Sequence, residues 1–388
     1  MIVIDLIKTV FKLLEAVNDY LTLVFGKVKK GDTFSFLVHP RDITDIYRPY
    51  PFLRFLPSSW VLRFVKVLPP ITLSRITGLK ALKENKRIDG WLLSIVLTPD
   101  QMKEDPKFAV KKVIQLAKLA RKKGSQIAGL GALIPYLTKH GVILINEVDG
   151  MGITTGHAYT AWVILQYVLR TVQLFDLPAD AQIAVVGAAG SMGSICTQLF
   201  ARNKFENLLL IDISRNEGVL AKTKNSINEI SLKTHVSIST KLEALKSADV
   251  IVSVTNAPRA IIQPEHLKEG AIVIDDAQPQ NVSDDVISNR DDVLVIKVLA
   301  HTPGINPHFD FGLPCQDDVF TCLAETMALT AIGWDKHFTI GRVAENQVFK
   351  IAEIAEKVGF SAAGFTTYNR LIDERDIERI QKIRQKEE

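Results

Sequence analysis

Two stretches of this chain combine residue types and spacings that suit chemistry. The first is Gly187-Ala188-Ala189-Gly190-Ser191-Met192-Gly193, preceded by the apolar run Ala181 to Val186 and followed by Ile195 to Ala201, which reads as a helix. A second apolar run, Leu208 to Ile211, ends in Asp212. Strand, glycine turn, helix, strand and acid within about thirty residues is what a dinucleotide requires. Gly187, Gly190 and Gly193 let the backbone turn and approach a pyrophosphate, with Ala188, Ser191 and Met192 filling the turn. The phosphates then rest on the amides of a helix N-terminus. Thr255 and Asn256 end a later apolar run, at the carboxyl edge where such sheets bind ligands. Asp212 is placed to accept from ribose hydroxyls and to repel a 2′-phosphate. Ser214 and Arg215, just beyond it, could instead hold that phosphate, so the two signals oppose each other.

The second stretch surrounds Cys322. With Asp317 or Asp318 as N-cap, a helix over Asp317 to Gly333 places this thiol in or near the first turn. There the positive end of the helix dipole favours a nucleophilic thiolate. Free cysteines are otherwise small buried hydrophobes, and Cys196 and Cys315 read that way. Thr154-Thr155-Gly156 forms a polar break before another helix. His157 and Tyr159 on its first turn offer a proton carrier and a hydrogen-bond donor. Backbone amides near Gly129 to Ala132, or at the Cys322 helix, are candidate donors to an oxyanion.

The elements that must position these groups alternate. Strands are expected at Thr33 to Val38, Trp91 to Leu97, Ile127 to Leu130 and Val142 to Ile145. Helices are expected at Pro106 to Lys123 and Ala158 to Val172. After the glycine turn, Val236 to Ser239, Val250 to Val254, Ala271 to Asp275 and Val293 to Val298 continue as buried strands. The fold class is therefore α/β: a doubly wound, Rossmann-type parallel sheet plus a second α/β substrate domain. The expected units are an N-terminal amphipathic helix (1–32), the substrate domain (33–155), the dinucleotide domain with the cysteine helix (156–335), and C-terminal helices with a charged tail (336–388).

Composition narrows the function. At 388 residues, two domains are the default, and a net charge of +4 gives no reason to expect nucleic acid. Three cysteines exclude a disulfide framework and fit a reducing, cytoplasmic setting; no His/Cys spacing suggests a metal. In the N-terminal segment, Leu6, Val10, Leu13, Leu14, Val17, Leu21 and Val24 recur at helical spacing, interrupted by Asp5, Lys8, Lys12, Glu15 and Asp19. This helix packs on its own domain or a second copy, with a peripheral membrane contact left open. Trp60 to Leu68 carries the same ambiguity.

Thr154-Thr155-Gly156, the Gly187 to Gly193 turn and Phe320-Thr321-Cys322-Leu323-Ala324-Glu325 resemble the aldehyde-forming long-chain acyl-[acyl-carrier-protein] reductases. So do Phe36-Leu37-Val38-His39, Gly333-Trp334, Gly341-Arg342 and Gly359-Phe360. The resemblance implies that Cys322 forms a thioester with a long-chain acyl group delivered by acyl carrier protein or CoA. NADP(H) then reduces it to a fatty aldehyde, with NAD(H) open because Asp212 stands where a small residue is usual. His157 and Tyr159 stand where that family has Asn and His. An acidic carrier protein would find a basic face on the 106–123 helix, at Lys107, Lys111, Lys112, Lys118, Arg121, Lys122 and Lys123. The alternatives are a shikimate- or methylene-tetrahydrofolate-type dehydrogenase without covalent catalysis, or a cofactor-binding sensor or scaffold.

Overall fold

The computed structural model describes residues 2–29 and 31–386; Met1, Lys30, Glu387 and Glu388 lie outside the described residues. The chain begins with α1 (Ile2–Phe25), β1 (Thr33–Val38), α2 (Ile43–Tyr47) and α3 (Ser58–Val67). β2 (Ile71–Lys80), β3 (Arg87–Ser94), α4 (Pro99–Glu104) and α5 (Pro106–Lys122) follow, then β4 (Ser125–Leu130), α6 (Ile134–Leu137), α7 (Val142–Ile145) and β5 (Gly152–Thr154). These strands form a five-stranded sheet in the order β2-β3-β1-β4-β5, parallel except for β2 at the edge.

α8 (His157–Leu174) crosses to the second layer: β6 (Gln182–Val186), α9 (Ser191–Arg202), β7 (Asn207–Ile211), α10 (Glu217–Ile230), β8 (His235–Ser239), β9 (Val250–Ser253), β10 (Ile272–Asp275), α11 (Asp284–Asn289) and β11 (Leu294–Lys297). All six strands are parallel, in the order β11-β10-β9-β6-β7-β8. This is the doubly wound dinucleotide order, and the direction of winding reverses between β6 and β9. Helices cover both faces, so the strands read as unbroken apolar runs. Ile183 and Val185 join one core while Ala184 and Val186 join the other.

A small sheet of β12 (Ala300–His301), β13 (Asp318–Val319) and, further on, β14 (Ser361–Ala362) frames α12 (Thr321–Ala331) and α13 (Glu345–Val358); α14 (Glu374–Arg384) closes the chain. α12 is apolar nearly all round and is correspondingly buried, packing against β1 and β4 of the first sheet and against α8 and α13.

Several expectations change. Val142 to Ile145 is a helical turn, because a four-residue apolar run fits either structure. β2 was not expected at all. α12 starts at Thr321, because Asp318 is spent on β13, opposite His301. The charged tail is a docked helix: Ile380 is buried and Arg384 pairs with Asp249 at 2.9 Å. α1 is a helix, but its apolar side does not pack on its own domain. Val3, Ile7, Val10, Leu14, Val17, Leu21 and Val24 are exposed, while Asp5, Thr9, Ala16 and Asp19 are buried.

Candidate active site

The carboxyl ends of both sheets open into one cavity of about 1230 Å³. One wall belongs to the dinucleotide layer. Gly187 has φ +90, and a Cβ there would meet Val254 O at 3.1 Å, so only glycine fits the turn beside β9. At Gly193 a Cβ would lie 2.2 Å from Gly187 O, so this glycine brings α9 close to the turn. Gly190 differs. Its φ is −71 and a Cβ would meet only Gly187 O, at 3.2 Å. Neither conformation nor protein packing requires glycine here; the space beside it belongs to the cavity, as a pyrophosphate needs. Gly190, Ser191 and Met192 line the cavity at the start of α9, whereas Ala188 and Gly193 serve packing behind it.

At the next strand end, Asp212, Arg215 and Asn216 line the cavity; Ser214 is exposed and outside its lining. The Asp212 carboxylate accepts from the amides of Ala189 (3.0 Å) and Ile213 (2.8 Å) and from Asn216 Nδ2 (2.7 Å). It therefore braces the glycine turn. Thr255 and Asn256 line the switch point, and Thr255 Oγ1 donates to Asn281 Oδ1 at 2.5 Å. These residues fit a nicotinamide dinucleotide: open space at Gly190, a helix N-terminus for phosphate, and polar groups where the strands end.

The opposite wall carries the thiol. Cys322 is the second residue of α12, half-buried and facing the cavity. The first-turn amides of α12 favour a thiolate at this sulfur, although the Leu323 amide is itself held by Phe320 O at 3.0 Å; burial and the nearby Asp276 push the thiol up to about 12. The expected preformed thiolate is thus absent at neutral pH: desolvation outweighs the helix dipole. The α8 start lies directly against this cysteine. A Cβ on Gly156, whose φ is +80, would sit 2.2 Å from Cys322 Cβ. Beneath it, the fully buried Glu325 ties three segments together. It accepts from Thr154 Oγ1, from the Tyr159 amide at 2.8 Å and from Thr339 Oγ1 at 2.9 Å. Thr321 Oγ1 also shares a 2.7 Å hydrogen bond with Thr160 Oγ1.

Of the two residues expected to assist, one is on the wall. His157 lines the cavity, but burial, then His140, drives its imidazole down to about 3, so it is neutral in the physiological range. Tyr159 is a correction: its ring lies in the core at 1% exposure and does not line the cavity. Two helical positions turn a side chain by about 200°, so His157 and Tyr159 face opposite ways. The glycines before α6 are another correction. Gly129 makes room for Thr326 and the Gly131 amide donates to Leu37 O at 2.8 Å; neither glycine lines the cavity, whereas Leu130 and Ala132 do. Cys196 is fully buried on the packed face of α9, and Cys315 is not on the cavity wall.

The residue that sequence reading missed is Asp276. It follows β10, lines the cavity, and makes no side-chain hydrogen bond among the described residues. Burial raises its carboxyl to about 7, with Lys297 opposing and Asp275 reinforcing. Asp275 is a different case: it is buried and accepts from the amides of Ala277 and Asn281 and from Tyr368. Thr155 Oγ1, His157 Nδ1 and His140 Nδ1 are buried without hydrogen-bond partners among the described residues, and all three residues line the cavity. Such groups await a ligand's polar atoms. Beyond them an apolar arm runs between Ile46, Pro49, Ile71, Leu73, Val96 and Met102.

Comparison with known proteins bears on this geometry. Residues 171–299 match the family model of the shikimate/quinate 5-dehydrogenases. The match covers a third of the chain, from the end of α8 to β11. A curated relative, aminotransferase PigE of Serratia sp. (strain ATCC 39006), is 22% identical over 290 residues, 74% of this chain. The chain spans only 34% of that relative's length. Solved structures that align over most of the chain include the malic enzyme of Entamoeba histolytica (16% identity, 95% of this chain and 78% of that one, TM-score 0.41). The NAD-dependent malic enzyme of Thermotoga maritima aligns similarly (12% identity, 95% and 87%, TM-score 0.40). The family that matches is thus a dehydrogenase family, and the curated relative is PigE; the resemblance to acyl-[acyl-carrier-protein] reductases is overturned. The second layer is a Rossmann-type dinucleotide fold, and the match over 171–299 is to a dehydrogenase family.

Proposed function

We propose that this protein is an NAD(P)-dependent oxidoreductase that reduces the acyl thioester of an apolar chain to an aldehyde, through an acyl group carried on Cys322. The observation that supports this most is a cavity-facing thiol on the first turn of α12, opposite the dinucleotide wall and next to an apolar arm. Asp276 takes the thiol proton as sulfur attacks the thioester carbon. The bond to the carrier sulfur then breaks, and the leaving thiolate takes the proton from Asp276. A dinucleotide held at Gly190, Ser191 and Met192 would supply hydride to the acyl carbon. The oxygen's developing charge falls to the Cys322 amide at the start of α12; the next two amides, of Leu323 and Ala324, already donate to Phe320 O. Collapse releases aldehyde, and the Cys322 sulfur is reprotonated through Asp276, so each turnover consumes one hydride and one proton. His157, neutral throughout, serves as a hydrogen-bonding wall.

NADPH is the proposed donor, with Arg215 as partner of its 2′-phosphate, because Asp212 is already turned towards the glycine turn. The carrier is CoA or an acyl carrier protein. For the protein carrier, the proposed contacts on α5 reduce to the exposed Lys107, Lys111 and Lys118, since Arg121 is half-buried. Lys112 donates to Leu68 O, Lys122 to Leu23 O, and Lys123 pairs with Asp19.

The second reading is a non-covalent dehydrogenase of the shikimate or methylene-tetrahydrofolate type. The match over 171–299 and the high thiol pKa favour it. Intact-mass measurement after mixing with long-chain acyl-CoA, without reductant, separates the two. The thioester reading expects an acyl adduct on Cys322. Dinucleotide turnover with a carbonyl or hydroxy-acid substrate and no adduct would establish the second reading instead.

A further inference from the structure

α1 is built inside out. The side it turns to the protein is polar: Asp5 pairs with Arg54, and Thr9 Oγ1 accepts from the Phe52 amide at 3.0 Å. Lys12 donates to Leu73 O at 3.1 Å, and Asp19 binds Thr72 and, at 2.8 Å, Lys123. These anchors fix the helix across the edge strand β2, so its orientation is not a matter of loose packing. The opposite side carries Ile4, Ile7, Phe11, Leu14, Val17 and Phe25, between 49% and 77% exposed. Phe55 and Leu56, also exposed, lie on the turn that Arg54 and Phe52 hold against α1. At 24 residues the face is about 36 Å long, a continuous stripe that a soluble monomer rarely exposes.

Its width and its charges indicate the occupant. Val3, Ile7, Val10, Leu14, Val17, Leu21 and Val24 follow the four-three spacing of a coiled-coil seam. In a two-stranded coil the flanking positions carry the charges that select a partner. Here Ile4, Leu6, Phe11, Tyr20 and Phe25 occupy them, so the face is far broader than a seam. The exposed charges bordering it are Lys8, Lys27 and Lys29; the one exposed carboxylate on α1, Glu15, is paired with Lys12. A broad apolar face with a cationic border fits headgroups of opposite sign above a hydrocarbon interior. No helix among the described residues is long and apolar enough to cross a membrane. We propose that the outer face of α1, with Phe55 and Leu56, docks flat on a lipid bilayer containing anionic headgroups. This assignment stands independently of the thioester reading.

The test is sedimentation of the full chain with vesicles of phosphatidylcholine, with and without phosphatidylglycerol, beside size determination in lipid-free buffer. The expected result is cosedimentation with the mixed vesicles, weakened by salt and by omission of phosphatidylglycerol. The double variant Phe11→Glu/Leu14→Glu should reduce partitioning about tenfold or more. Both side chains point outward, so its thermal midpoint and dinucleotide affinity should match the parent's. Failure to sediment with either vesicle, or undiminished sedimentation of the variant, would overturn the assignment. So would a lipid-free dimer that the variant converts to monomer without any vesicle binding, which would give the face to a second copy.

Discussion

Two helix starts, those of α9 and α12, face each other across the cavity and use the same dipole in opposite ways. At α9 the first turn is left open: Gly190 has no neighbour that a Cβ would strike hard, and the turn is braced from behind by Asp212. At α12 the first turn is crowded: Gly156 abuts Cys322, and Asp276 stands close enough to oppose a thiolate. An open helix start can take a solvated, permanently charged phosphate, with little desolvation to offset. A crowded one raises the cost of charge, so the sulfur stays protonated until a base and an electrophile arrive together.

This contrast can be broken at either end. Cys322→Ser should lower turnover about a thousandfold or more and abolish the acyl adduct in intact-mass spectra, with dinucleotide affinity unchanged. An adduct that persists, or maps to Cys196 or Cys315, would remove Cys322 from the chemistry. Asp276→Asn should slow acylation about a hundredfold. In the parent, the single-turnover rate should climb with pH to a plateau above about 7, as the carboxyl ionises and becomes a base; the variant should lack that limb. Stability runs the other way. The folded carboxyl titrates above its ordinary value, so the folded state binds more protons than the unfolded one between about 4 and 7. Over that window the parent's melting temperature should fall, relative to the variant's, as pH rises.

At the other end, Gly190→Val should weaken dinucleotide binding by roughly tenfold to a hundredfold in a fluorescence titration, since it fills ligand space. Thiol alkylation of Cys322 should keep its rate. Equal affinity would make the glycine turn structural only. The smallest effect belongs to Asp212→Ala: a severalfold shift of preference towards NADPH, read from the ratio of kcat/KM for the two cofactors. An unmoved ratio would mean that Arg215 alone reads the 2′ position.

The α9 start was legible from sequence because its requirements are local: two apolar runs, three glycines and an acid within one βαβ unit. The α12 start was legible only in part. Cys322 could be placed near a helix start, but the N-cap was misassigned because the pairing of Asp318 with β12 is a long-range event. Asp276 was invisible for a related reason. Ile272-Val273-Ile274-Asp275-Asp276 reads as a strand with a polar end, and nothing local says which aspartate is locked by Asn281 and Tyr368 and which is left facing the cavity. α1 shows a third kind of limit. Periodicity identified most of its apolar side, Leu13 excepted, but periodicity carries no direction, and the anchoring partners Thr72, Arg54 and Lys123 lie far along the chain.

The Glu325 junction also sets how the molecule can breathe. Because one carboxylate on α12 grips the end of β5, the first turn of α8 and the segment at Thr339, the Cys322 wall is tied firmly to the first sheet. On the far side, Arg259 and Asp100 reach across the gap at 3.9 Å with 82% and 69% of their side chains in solvent, a contact worth little. The wall that carries the thiol therefore rests on a buried network, whereas the rim spanned by Arg259 and Asp100 is held by one solvent-screened pair and costs far less to part.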